Sequence, residues 1–82
     1  MVKIKVVYFA GARDAVDKQT ELVEVGSKPT VAMVLNRLVE IHPKLKPMSK
    51  SVRLSVNQEI AERGDRVKNG DEVGVLPPVA GG

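Results

Sequence analysis

Apolar and polar positions alternate at the start of the chain. In residues 2–10, VKIKVVYFA, Ile4, Val6 and Tyr8 fall on one face, with Lys3, Lys5, Val7 and Phe9 on the other, so the segment reads as a strand of β-branched and aromatic residues. GARDAVDKQ then reads as a turn region with room for one helical turn, and TELVEV (20–25) as a second strand able to form a hairpin with the first. The period changes in PTVAMVLNRLVEIHP, where Val31, Val34, Leu35, Leu38 and Ile41 or His42 recur at helical spacing. Thr30 is the expected N-cap, Met33 reads as a packing residue, and Pro43 ends the helix because the residue before a proline resists the helical conformation. KLKPMSKS is a connector and VRLSV (52–56) a third strand. Turns are signalled at Gly64-Asp65 and Asn69-Gly70-Asp71, with a short strand or bridge possible near Glu59–Ala61 and a final strand in VGVL (73–76). The order β-β-α-β-β predicts an α+β domain, one main helix packed on one face of a mixed sheet. Residues 1–76 would form its body and residues 77–82 an extended tail.

Strand parity raises a further question. Lys3 and Lys5 mark the solvent face of the first strand, yet Val7 and Phe9 share it. In the last strand Val73 and Val75 point one way, and Leu76 points the other, beside the tail. Either these side chains fold back under a loop, or a β-bulge resets the parity, or they form an exposed apolar patch. For Phe9 and Leu76 together, both near the start of the tail, a partner-binding patch is favoured, and Ile60 would join it.

Composition narrows the chemistry. Eighty-two residues, 43% hydrophobic and 28% charged, make one small domain with a core. No apolar run approaches the roughly 18 residues of a membrane span, and alternating Lys3 and Lys5 argue against a signal peptide, so a cytoplasmic protein is expected. There is no cysteine, which removes disulfides, thiolate metal sites and any cysteine nucleophile or sulfur carrier. With one histidine and scattered carboxylates, no metal site is expected. The net charge of +3 is spread along the chain, and Tyr8 and Phe9 are the only aromatic residues, too few for a base-stacking platform. No nucleic-acid partner is therefore expected. His42 reads as a helix-end residue facing the last carbonyls, and Asp65 and Asp71 read as turn carboxylates that bond nearby N–H groups. Gly11 and Gly26 read as turn glycines. No side-chain active site emerges.

The tail is what remains. Pro77-Pro78 favours an extended, stiff run, and the six residues from Pro77 to Gly82 reach about 19 Å in polyproline geometry. Val79 and Ala80 are small, and Gly81-Gly82 can enter a channel too narrow for other residues. Taken alone, a Gly-Gly end reads as a frayed terminus or a cloning remnant. After a final strand and two prolines it reads as a device that presents the α-carboxylate of Gly82. A carboxylate is inert until one oxygen becomes a leaving group, so the expected partner is an ATP-using adenylating enzyme.

VNQE (56–59), NGDEVGVLPPVAGG (69–82) and PTVAMVLNRL after a first hairpin resemble the MoaD/ThiS-like β-grasp sulfur carriers, and among them the small subunits of molybdopterin synthase. The resemblance covers essentially the whole chain. It implies a ubiquitin-like β-grasp fold and a subunit that is not an enzyme by itself. It also implies that Gly82 is adenylated by an E1-like enzyme, with ATP bound there and no cofactor on this chain, and becomes a thiocarboxylate. The tail would then insert into a large catalytic subunit, in a heterotetramer of two small and two large subunits, and pass sulfur to the pterin precursor of the molybdenum cofactor. Phe9, Ile60 and Leu76 fall where the family makes its hydrophobic contact with activating enzyme and large subunit, and Val7, on the same face by parity, is counted with them as a partner-interface residue. Two departures stand out: Val75 and Leu76 replace the usual aromatic pair before Pro-Pro, and Asp17-Lys18 replaces a glycine after the first helix. Ubiquitin-like modifiers joined to target lysines, and sulfur donors for tRNA thiolation or thiamine thiazole synthesis, share the same Gly-Gly ending and remain alternatives.

Overall fold

A computed structural model describes residues 1–78. Its elements run β1 (Val2–Tyr8), α1 (Ala10–Val16), β2 (Thr20–Val25), α2 (Val31–Ile41), a 3-10 segment (Pro43–Met48), β3 (Arg53–Val56), β4 (Glu59–Ala61) and β5 (Glu72–Leu76). The five strands form one sheet in the order β2-β1-β5-β3-β4. β1 and β5 run parallel, and the other pairs are antiparallel.

The anticipated helix forms, with its stripe buried as far as Leu38; Ile41 is 39% exposed and His42 lies just past the helix end. Val31, Val34, Leu35 and Leu38 are buried, and the Thr30 hydroxyl accepts the Met33 N–H at 3.3 Å. These side chains meet Ile4, Val6, Val23, Val25, Leu54, Val73 and Val75 from the inner face of the sheet. Met33 is a correction: it is 45% exposed, on the solvent side of the helix. The connector is also more ordered than its composition suggested. Pro43 opens the 3-10 turn, where its missing N–H costs nothing, and Leu45 fills the core beneath it.

The turn after β1 is a seven-residue helix, opened by Phe9 in extended conformation and closed by Asp17 in the left-handed region (φ 60°). Asp17 thus occupies the position after the first helix that the family resemblance assigns to glycine, and its N–H bonds the Arg13 carbonyl at 2.8 Å. Gly11 lies inside this helix, and neither it nor Gly26 has a positive φ. The glycine that a turn requires is Gly70, at φ 87°.

The Asn69-Gly70-Asp71 turn explains why β5 lies beside β1. Asn69 Oδ1 accepts the Lys3 N–H and the Gly70 N–H reaches the Lys3 carbonyl, each at 2.8 Å. The Lys5 N–H bonds the Asp71 carbonyl at 3.0 Å, and Asp71 Oδ2 accepts the Lys68 N–H as a turn carboxylate. Asp65 likewise accepts the Glu62 N–H. Asn57 secures the other side of β5, exchanging hydrogen bonds with the Glu72 backbone. With Gln58 it forms a two-residue turn at positive φ that joins β3 to β4.

Candidate functional site: the outer sheet face and the chain leaving it

The alternation in β1 is realised without a bulge. Ile4, Val6 and Tyr8 are buried, while Lys3 and Lys5 lie on the outer face. On that face the register aligns Thr20, Val7, Gly74, Ser55 and Ile60 in one row across all five strands. In the next row Arg53 pairs with Leu76, and the Phe9 N–H bonds the Val75 carbonyl at 3.2 Å, which sets Phe9 alongside. The fold therefore gathers Val7, Phe9, Ile60 and Leu76 on one side of the sheet. Phe9 is 43% exposed and Ile60 61%, whereas Val7 and Leu76 are half-buried.

Gly74 is a contributor that the sequence pattern did not reveal. A Cβ placed there would lie 2.5 Å from Ser55 Oγ and 3.2 Å from Phe9 Cε2, so the Phe9 ring rests over a residue with no side chain. Parity alone marks Gly74 as outward; only the neighbouring strand and the Phe9 ring show that its bareness matters. Leu22, 70% exposed on β2 opposite Lys5, is a further outward apolar residue outside the sequence reading.

Strand β5 ends at Leu76, with Pro77 half-buried and Pro78 exposed. Because β5 sits in the middle of the sheet, the chain leaves beside Phe9 and not from an outer edge. Val79, Ala80, Gly81 and Gly82 lie outside the described residues.

Behind the sheet, a polar cluster joins β1, β2 and the end of α2. Glu21 Oε2 accepts the Tyr8 hydroxyl at 2.5 Å and lies 2.5 Å from His42 Nε2, while Lys18 Nζ is 3.3 Å from Oε1. The Tyr8 and His42 rings meet edge to face with centroids 5.9 Å apart. Burial alone would raise the Glu21 carboxyl, but hydrogen bonds from Tyr8 and His42, the His42 charge and Lys18 together hold it below its ordinary value. Burial, and then the Glu21 carboxylate, push the Tyr8 hydroxyl well up. The sequence reading of His42 is thus corrected: its ring bonds Glu21, and only its backbone N–H caps the Leu38 carbonyl. With Tyr8, His42 and Lys18 arrayed around one carboxylate, the cluster ties β1 and β2 to the end of α2. Among the described residues, no group of three or more His, Cys, Asp or Glu side chains could hold a metal ion, and no helix is long and apolar enough to cross a membrane.

The profile of the ThiS family matches residues 6–82. The chain belongs to the ThiS family. It is 37% identical to a molybdopterin synthase sulfur carrier subunit from Mycobacterium tuberculosis, an alignment that covers all of both chains. Among solved structures, a putative molybdopterin converting factor subunit 1 from Pyrococcus furiosus superposes with a TM-score of 0.87 at 30% identity, covering 96% of this chain and 100% of the other. The small archaeal modifier protein 1 of Haloferax volcanii gives 0.85 at 27% identity, over 96% and 100%. The mixed five-stranded sheet and main helix are a ubiquitin-like β-grasp arrangement, the fold that the chain shares with these two structures.

Proposed function

We propose that this chain is a cytoplasmic sulfur carrier, the small subunit of a molybdopterin synthase, and that its reactive group is the α-carboxylate of Gly82. The observation that carries the reading is the end-to-end match to a relative that bears this name. The geometry supports it: the chain leaves the centre of the sheet beside Phe9, Leu76 and Val7, and Ile60 extends the same face. Residues 1–76 act as the handle that a partner grips, and residues 77–82 as the arm that enters its active site.

The chemistry runs in two steps. A carboxylate oxygen of Gly82 attacks the α-phosphate of ATP on an E1-like enzyme, and pyrophosphate leaves. A sulfide equivalent then displaces AMP from the acyl adenylate, so one carboxylate oxygen departs with AMP and sulfur takes its place. The thiocarboxylate is delivered into the large subunit, two copies of each forming the synthase. Sulfur passes there to the bound pterin precursor, and water restores the carboxylate. ATP and the pterin belong to the partners, and this chain supplies the acyl carbonyl that carries the sulfur and the docking face.

Intact-mass spectrometry of the chain incubated with its activating enzyme, ATP and a sulfur source tests this. The expected result is the mass gain of one oxygen-to-sulfur exchange, localised to Gly82. An unchanged mass with the enzyme active on ATP sinks the proposal.

The likeness to a modifier protein favours a second reading, attachment of Gly82 to target lysines. It predicts higher-mass bands on denaturing gels of cell extract probed for this chain, lost when Gly82 is removed.

A further inference from the structure

The charges of this chain are unevenly placed in space. Residues 41–58 contain Lys44, Lys46, Lys50 and Arg53 and no aspartate or glutamate. The fold adds Arg63, whose guanidinium donates to the Ser49 carbonyl at 3.3 Å and the Val52 carbonyl at 3.0 Å and is thereby held against this segment. Two adjoining grooves result. One, of about 480 Å³, is lined by Leu35, Val39, Lys46, Ser49, Lys50 and Arg63. The other, of about 410 Å³ along β3 and β4, shares Lys50 and Arg63 and adds Arg53, Ile60 and Glu62. One carboxylate, Glu62, lines the two grooves beside Lys46, Lys50, Arg53 and Arg63, and among the described residues none of the four is within 4.0 Å of an acidic partner.

Like charges gathered along a cleft repel one another and focus a positive potential, an arrangement that an acidic ligand relieves. Two features identify the ligand's class. The floor of the first groove is partly apolar, through Leu35 and Val39, and neither aromatic residue lies there, which suits a polypeptide and not stacked bases. The second groove also runs into the outer sheet face: Ile60 lines it, and Arg53 is the register partner of Leu76. A protein seated on the Phe9–Leu76 side reaches the cations by continuing around the β4 edge.

We infer that this cationic band docks an acidic, partly apolar segment of the partner protein, as a second contact beyond the apolar face. The inference rests on the sulfur-carrier reading for the identity of the partner. The binding chemistry does not depend on it.

The test uses the full chain, isotopically labelled for NMR, and a short peptide of glutamates flanking two leucines. Saturable shifts are expected at Lys46, Ser49, Lys50, Arg53 and Arg63, weakening as salt rises. The double charge reversal Lys46→Glu/Lys50→Glu, at two exposed positions, should weaken binding by about tenfold, with Lys46→Gln/Lys50→Gln in between. Removal of Gly81-Gly82 should leave peptide binding unchanged, which separates this surface from the tail chemistry. Absent shifts, or equal shifts at Lys3, Lys5 and Lys68, overturn the inference. So does tighter binding of a single-stranded oligonucleotide of equal charge, which would make the band a nucleic-acid surface. A failure of the thiocarboxylate test leaves these outcomes readable.

Discussion

At Phe9 an aromatic ring remains on the outer face because the residue beneath it, Gly74, has no Cβ to meet it, while Tyr8, one position earlier, is buried on the opposite face. Replacing Phe9 with lysine should therefore cost the fold less than about 0.5 kcal/mol while weakening capture by the activating enzyme. Thermal melts and a binding assay read the two effects separately, and a large fall in melting temperature would mark Phe9 as core. Glu21 makes a prediction of the opposite kind. Its folded carboxyl is held below the ordinary value of 4.5, so as pH falls the unfolded chain takes up that proton first. The stabilisation is complete above about pH 4.5 and is lost as pH drops through the lower folded value. Melting temperatures between pH 7 and pH 3 should fall more steeply for the wild type than for Glu21→Gln; parallel curves would show that the ionised carboxylate contributes nothing. The outward position of Phe9 was legible in the alternation of β1. The Glu21–His42 contact was not, because partners 21 residues apart carry no local periodic signal.

Among the elements, α2 was the most readable, since an apolar stripe from Val31 to Leu38, a threonine cap and a terminating proline all agree. Thr30→Ala should cost about 1 kcal/mol by orphaning the Met33 N–H, and Leu38→Ala about 2–5 kcal/mol by opening a cavity at a fully buried site. Chemical denaturation measures both, and equal losses would contradict the assignment of Thr30 to the rim and Leu38 to the core. The shorter elements were harder to see. Helix α1 buries only Ala12 and Val16 and contains Gly11, so neither stripe nor propensity announces it, and its shape comes from Phe9 at its start and Asp17 at its end. The 3-10 turn carries one buried apolar residue, Leu45, between two prolines. Such a segment is ordered by the core it covers, not by its own sequence.

For the whole molecule, the decisive feature is that the last strand is inserted in the middle of the sheet. With β5 paired on both sides up to Val75 and with β3 up to Leu76, and the core closed by Val75, removing Gly81-Gly82 should leave the melting temperature unchanged and abolish the oxygen-to-sulfur mass gain. A drop in stability would mean that the tail belongs to the fold. The sequence by itself determined the class of the protein: hydrophobic period sets strand or helix locally, and the lack of cysteine removes whole branches of chemistry at once. It also carried the Asn69-Gly70-Asp71 signal, whose chemistry is local to a turn. Only the tertiary structure decided which strands are neighbours. That choice depends on long-range hydrogen bonds, such as those of Asn69 and Gly70 to Lys3, which no window of sequence contains. From it follow the row that joins Val7 to Ile60, the place of Gly74 under Phe9, and the gathering of Lys46, Lys50, Arg53 and Arg63 along one band.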